Sequence, residues 1–428
     1  MQSSSWERSK ERQLRYVRRR PETTHLYRII FNHREDLRYT WEERFQQRYG
    51  VLRDCVLKAF DAYLDCGILA HGAARAHCGN CNHSILIAFS CKQRGVCPSC
   101  STKRALIFAE NLHDNILAHV PHRHVVFSLP KRLRVYFRYD RKLHQILFTS
   151  AWESLREMYE APVPDGVPGA VLALHTCGEA LNHNPHIHGI CTDGVFLPDG
   201  SFQQVPKLST EKLTELLTHK VLSELKAKDL IADTAIAQVL SQSHTGFSAW
   251  MGDPIEPGDG ERRLFVSRYI DRGPVASSKI EIVDDIITYH HDSKHLPTAE
   301  FDAVEFLAAL SVHIPNKWEQ LTRHYGYYST RVRGDRKKLL THTTPTILQP
   351  IEKKKVSRTW AALIKQIYEV NPLLCEKCGS EMKIIAFIHD THEIGKIIKH
   401  LGLPDYRAPP PIRKCSDQPH YKPFKEAA

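Results

Sequence analysis

Apolar positions recur near the helical period through TWEERFQQRYGVLRDCVLKAFDAYLDCGIL, so the first ~70 residues are expected to be helical. The period then shortens. His124 to Leu129 reads as a strand closed by Pro130, and Lys131 to Ala161 returns to helical spacing with Leu143, Ile146, Leu147, Trp152 and Leu155. After the breaker-rich turn APVPDGVPG, the run AVLALHTCG alternates as a strand. The polar turn from Leu181 to Pro185 returns the chain as a hairpin into HIHGICTDGVF. Residues 207 to 250 read as two or three helices, and GDPIEPGDG as a loop. ERRLFVSRYIDRG is expected to be a short helix starting at Asp259 or Gly260 and ending before Gly273. SSKIEIVDDIITYHH alternates as one or two strands, and FDAVEFLAALSVHIP is an amphipathic helix. The order strand, helix, strand, strand predicts an α+β fold, an antiparallel sheet with helices on one face.

Composition narrows the class. At 428 residues, with 42% hydrophobic and 25% charged positions, the chain is expected to form about three globular domains. No apolar run approaches the ~18 residues of a membrane span, and the charged start lacks a secretory apolar core, so no membrane partner is expected and the location is read as cytoplasmic. The formal charge of +11 points to a polyanionic partner. Arg8, Lys10, Arg12, Arg15, Arg18, Arg19 and Arg20 crowd the N-terminus, where a solvated tail is the competing reading. Arg331, Arg333, Arg336, Lys337 and Lys338 follow the aromatic run RHYGYY, a mixture suited to phosphate contact and base stacking on single strands. The absence of a GxxxxGK[ST] loop gives no reason to expect a nucleotide cofactor.

Twelve cysteines without an export signal indicate metal rather than disulfides. Cys78 and Cys81 form one CxxC, Cys97 and Cys100 a second, with fifteen residues between the pairs. That spacing predicts a zinc ribbon in which four thiolates close a structural site, with Cys91 as a possible substitute for one of them. Lys92, Arg94, Lys103 and Arg104 would make its surface DNA-facing or merely soluble. A third CxxC, Cys375 and Cys378, is completed either by His389 and His392 or by nothing.

His186 and His188 flank Ile187, so on a strand both imidazoles project to one face while the isoleucine anchors the other. An unliganded histidine pair is the plain alternative. Glu179, upstream across the expected hairpin, would complete a His/His/carboxylate set suited to Mg or Mn. Zinc hydrolases with an HxHxDH pattern need an Asp and a third His at a fixed spacing, which the following GICTD does not provide. On the short helix, Arg262, Arg263, Arg268 and Tyr269 pair arginines with one tyrosine, which serves either phosphate handling or packing.

The succession CxxC, FSCKQRGVCPSC, HVVFSLPKRLR, HIH with TDGVF, VSRY, FLAALSVHIP, RHYGYYSTRVRG and NPLLCEKCG resembles the rolling-circle insertion-sequence transposases of the HUH class, specifically the IS ninety-one and ISCR-like family with its N-terminal zinc-binding domain. The resemblance runs from about residue 50 to 405. It implies a ferredoxin- or RRM-like palm with an N-terminal zinc ribbon and helical additions. The implied partition is a basic helical lead-in at 1–70, a zinc ribbon at 71–110, an HUH tyrosine endonuclease at 115–295, a helical and basic-aromatic DNA-binding extension at 296–345, and a C-terminal CxxC region with a tail at 346–428. By position, the HUH pair falls on His186 and His188. The Tyr-x-x-x-Tyr of two-tyrosine members aligns with FVSRY, leaving Tyr269 as nucleophile and Phe265 at the other place. NPHIH carries Asn184 where HPHVH is common in the family.

The function so implied is cleavage and rejoining of single-stranded or hairpin transposon ends through a 5′-phosphotyrosine, with catalytic Mg or Mn, structural Zn, and Arg268, Arg331 and Arg333 among the DNA contacts. The setting would be a bacterial nucleoid, and oligomerisation stays open. A rolling-circle replication initiator or relaxase would use the same site. A non-catalytic zinc-ribbon DNA binder, or a zinc hydrolase of small esters, would be indifferent to Tyr269→Phe.

Overall fold

The computed structural model describes residues 20–242, 244–290, 298–342 and 373–402. The basic run from Arg8 to Arg19, most of the expected linker at 340–356 and the tail from Ala408 lie outside the described residues. The chain forms two compact units that do not follow its order: Met1–Cys100 with Val275–Ile314 and Val356–Ala428, and Ser101–Pro274 with Pro315–Lys355.

The second unit is built on a five-stranded antiparallel sheet. Its elements are β1 (His122–Ser128), α1 (His144–Glu160), β2 (Gly169–Cys177), β3 (His183–Thr192), α2 (Thr210–Ala227), β4 (Ser248–Met251), α3 (Gly260–Ile270), β5 (Thr322–Gly326) and α4 (Thr330–His342). The strand order is β5-β2-β3-β1-β4, so the histidine-bearing β3 is the middle strand. Period-2 alternation divides the side chains. Val125, Phe127, Leu172, Leu174, Ile187 and Cys191 face one core with Ile146, Leu147 and Leu155 of α1 and Leu213, Leu217 and Val221 of α2. Each such fully buried aliphatic contributes about 1.5–3 kcal/mol.

The opposite face is covered too. Val171, Ala173 and Ile190 pack with Val266 and Ile270 of α3, with Leu112 of the helix Pro98–Asn115, and with Tyr328. The expectation of helices on one face therefore needs correcting: the sheet is sandwiched, and α3 lies on the side to which the even-numbered β3 residues point. The segment RHYGYY, read as part of a basic-aromatic DNA-binding extension, also contributes strand β5, paired with β2 from Thr322 opposite Ala173 to Gly326 opposite Gly169. Gly326 is required there. Its φ is +53°, and a Cβ would run into the Pro168 carbonyl and the Trp152 ring.

In the first unit the helix His25–Arg44 buries Leu26, Ile29, Ile30, Leu37 and Trp41, and Thr24 caps it by accepting from the Tyr27 amide. Asp302 closes a capping box with Glu305 at the start of the helix Ala303–Ser311 and receives Arg44 Nη2 at 2.6 Å. Two small sheets complete the unit. In one, Ile286–Tyr289 pairs with Ile280–Val283 and Ala299–Phe301. In the other, Ala73–His77 lies between Ser84–Ala88 and Lys383–Ile388, a strand from the far end of the chain. Both sheets are antiparallel, so the fold is mixed α+β throughout. Among the described residues no helix is long and apolar enough to cross a membrane.

Candidate metal and tyrosine site

The β2/β3 register sets the site. His175 stands directly opposite His186, and His188 lies opposite Ala173, so three imidazoles share one face. One ring nitrogen from each of His175, His186 and His188 lies within 4.8 Å of the others. Two of the three rings have their tautomer fixed by a carbonyl, which can only accept. His186 Nδ1 donates to the Asn184 carbonyl at 2.7 Å, and His175 Nε2 donates to the Ile270 carbonyl at 2.8 Å. The opposite nitrogen of each ring keeps its lone pair, as a metal ligand requires. His124 on β1 adds a fourth ring, its Nε2 3.2 Å from His188 Nδ1.

Burial lowers the basicity of all four. It pulls His175 down to about 3, with the neighbouring His186 adding to the effect, and His124 down to about 4. His186 and His188 move in the same direction for the same first cause, with Arg272 contributing to both. At neutral pH the cluster is therefore a set of uncharged imidazoles.

Glu179 does not belong to this set. It is exposed, in a short turn after β2 where Ala180 and Leu181 both take left-handed conformations, and His175 occupies the place expected for it. The reason is register: the strand residue opposite His186 shares its face, whereas the carboxylate lies beyond the end of the strand.

Tyr269 lies on α3, whose N-terminus is capped by Asp259 accepting from the Arg262 amide. Its ring centroid is 4.9 Å from His188, 6.1 Å from His175 and 6.0 Å from His124. The Ile270 carbonyl that receives His175 belongs to the next residue, so the helix carrying the phenol and one imidazole are joined by a hydrogen bond. Phe265, one turn earlier, is 68% exposed. The cation over the Tyr269 ring is Arg272, at 4.5 Å, a residue the sequence reading did not single out. Arg268 is exposed and acts electrostatically on Glu110 instead.

Four other tyrosines are engaged elsewhere. Tyr328 is fully buried, bonded to His122 Nε2 at 2.6 Å and accepting from the Ala118 amide. Tyr325 stacks on Trp152, Tyr327 lies between Phe196 and Arg336, and Tyr289 is buried in the first unit.

The cysteines also regroup. Cys78, Cys81, Cys97 and Cys100 do not converge. Cys97 and Cys100 meet Cys66 and Cys91, while Cys78 and Cys81 meet Cys375 and Cys378. The hairpin explains the division. The turn between Ala73–His77 and Ser84–Ala88 carries Cys78 and Cys81, whereas Cys66 precedes the first strand and Cys91 follows the second. Five-residue strands hold those two ends about 16 Å apart, too far for one ion. His389 and His392 are not members of either group. Cys66 is the ligand candidate that sequence spacing missed, since it belongs to no CxxC.

The basic residues lie on several elements. Lys92 is exposed with φ +55°, in the same loop as Arg94, and Lys103 and Arg104 follow on the helix Pro98–Asn115. Arg104 Nε donates to Asp271 at 2.9 Å, Arg333 Nε to the Tyr328 carbonyl at 3.1 Å, and Arg331 is exposed on α4.

Residues 169–336 match the family model described as "Putative transposase", and residues 37–129 that described as "Transposase zinc-binding domain". The transposase for insertion sequence element IS801 of Pseudomonas savastanoi pv. phaseolicola is 26% identical over 361 residues, spanning 79% of this chain and 85% of that protein. The protein named "Putative transposase y4qJ" of Sinorhizobium fredii is 24% identical over 326 residues, 70% and 80% of the two chains. No solved structure matches. Matches to both segments and to both relatives define an insertion-sequence transposase, an enzyme with a cysteine cluster of zinc-binding type. The chain belongs to the IS ninety-one family of HUH-class rolling-circle transposases.

Proposed function

We propose that the five-stranded sheet is an HUH endonuclease palm, and that Tyr269 is the nucleophile that cleaves single-stranded or hairpin DNA at the transposon ends. The observation that carries this reading is the position of the phenol ring, 4.9 Å from His188 on a helix hydrogen-bonded to His175. His175, His186 and His188 would hold a divalent ion, which when bound supplies Lewis-acid polarisation of the scissile phosphate. Three imidazoles without a carboxylate suit Mn better than the harder Mg.

The phenol oxygen attacks phosphorus in line and loses its proton. The bond to the 3′ oxygen breaks, and that oxygen takes up a proton as it leaves. One phosphodiester replaces another, giving a 5′-phosphotyrosine and a free 3′-hydroxyl that reverses the step on rejoining. Arg272, whose guanidinium lies 4.5 Å over the Tyr269 ring, is placed to contact the phosphate that the phenol attacks. Cys66, Cys91, Cys97 and Cys100 would hold a structural zinc ion, since four thiolates leave no open position. Lys92, Arg94, Lys103, Arg331 and the exposed Arg268 supply phosphate contacts.

The test is incubation of the purified full chain with labelled single-stranded DNA from the element's ends and Mn. A covalent adduct that survives denaturation is expected, absent in Tyr269→Phe, strongly reduced in His175→Ala and retained in Glu179→Gln. An adduct that persists in Tyr269→Phe refutes the assignment, and one lost in Glu179→Gln but kept in His175→Ala restores the carboxylate as ligand.

A further inference from the structure

Two short loops, almost three hundred residues apart in sequence, have the same backbone. In Cys78-Gly-Asn-Cys81-Asn-His83 the Cys78 amide donates to the His83 carbonyl at 2.8 Å, and the Asn82 amide donates to the Cys78 carbonyl at 3.0 Å. In Cys375-Glu-Lys-Cys378-Gly-Ser380 the Cys375 amide donates to the Ser380 carbonyl at 2.8 Å, and the Gly379 amide donates to the Cys375 carbonyl at 2.8 Å. The residue after the second cysteine is left-handed in both, Asn82 at φ +58° and Gly379 at φ +70°. Each loop thus aims two sulfurs in one direction, and the loops face each other. Cys78 Sγ lies 3.5 Å from Cys378 Sγ and Cys81 Sγ 3.4 Å from Cys375 Sγ, all four being free thiols. A zinc ion with ~2.3 Å bonds to sulfur needs its tetrahedron edges to be about 3.8 Å, which these separations approach. Polar pairs flank the sulfurs: Asn80 Nδ2 donates to Ser380 Oγ at 3.1 Å, and His83 Nε2 lies 3.1 Å from Glu376 Oε1.

We infer that Cys78, Cys81, Cys375 and Cys378 form a second structural zinc site, which clips residues 373–402 onto the N-terminal hairpin and makes them part of one zinc-bound domain. The match to the zinc-binding family ends at residue 129, so the second pair of thiols lies outside it. The packing agrees with a clip. Lys383–Ile388 pairs along Ala73–His77, Met382 and Cys375 share a core with Ala76 and Ile87, and Ile394 and Ile398 cover Leu69, Ala73 and Leu86. With all four positions filled by sulfur, the site is closed to substrate and its contribution is to folding.

Two measurements test this. Cys81 and Cys378 are exposed, so as free thiols they would alkylate rapidly. In zinc-replete full-length protein both are expected to resist alkylation and to become reactive, together with Cys78 and Cys375, once the metal is chelated. Zinc per chain in Cys375→Ser/Cys378→Ser is expected to fall by one equivalent, with residues 373–402 newly open to protease and the Cys66 cluster still loaded. Alkylation of Cys81 and Cys378 at free-thiol rates in the replete protein, or an unchanged zinc content in the double variant, overturns the inference. Where the double variant loses more than one equivalent, the alkylation of the unmutated chain decides.

Discussion

Asp193→Ala is expected to be among the most damaging single changes in the second unit although it touches neither the histidines nor Tyr269. Asp193 is 1% exposed and Arg123 5%, and the carboxylate receives Nε and Nη2 of that arginine together with Gln204 Nε2 at 2.9 Å. Without it, the guanidinium retains only the bond from Nη1 to the Gly252 carbonyl at 2.9 Å. Removing one partner of a buried pair costs about 3–5 kcal/mol, because the other charge stays desolvated and uncompensated. In a unit of this size each kcal/mol moves Tm by about 2–4 °C, so a fall of roughly 6–20 °C is expected. Calorimetry of the full chain reads it. The companion variant Arg123→Met/Asp193→Leu removes both charges and is expected to recover most of the loss. A shift in Asp193→Ala smaller than about 1 kcal/mol, or a double variant as unstable as the single one, would refute the reasoning.

Three further outcomes follow from the geometry. Glu319 is pulled down to about 2: burial opposes this, but His144 and the two-toothed grip of Arg141 outweigh it. Because the folded value lies below the ordinary ~4.3, its contribution, on the order of 2–3 kcal/mol, is present above that pH and lost as pH falls toward 2; a pH-stability curve that Glu319→Gln leaves unchanged there would contradict it. Tyr328→Phe strips partners from His122 and the Ala118 amide and should cost about 1–3 kcal/mol in denaturant titration, yet leave the DNA adduct intact. His124→Phe is expected to weaken Mn binding about 10–100-fold by calorimetric titration, since His124 Nε2 orients His188; unchanged affinity argues that the ring only packs.

Much of the site was legible because its periods are strict. His-Ile-His on a strand has one apolar and two polar projections, and the buried Ile187 matches that pattern. Asp259 as helix cap and the hairpin return into His183 follow from local rules that tertiary structure did not override. His175 was hidden for a different reason. Its partnership with His186 is a matter of register across the hairpin, and an irregularity between His175 and Cys177 defeats simple counting back from the turn. The cysteine groupings were ambiguous because CxxC pairs carry no label for their partners; only the strands between them decide which thiols can meet. Strands β4 and β5 are four and five residues long, too short for alternation to stand out against the helical and basic-aromatic segments that contain them.

The strand Lys383–Ile388 pairs with a strand that leaves the ribosome long before it. Cys81 and Cys375 are 294 positions apart, and at ~5–20 residues per second translation separates them by roughly 15–60 s. During that interval the hairpin at Ala73–Ala88 has an open edge and uncovered Leu69 and Leu86, so this early-made hairpin is among the last parts of the chain to be finished. Interrupting translation before Lys383 would therefore also damage the distant hairpin at Ala73–Ala88, leaving an exposed strand edge that invites association with other chains.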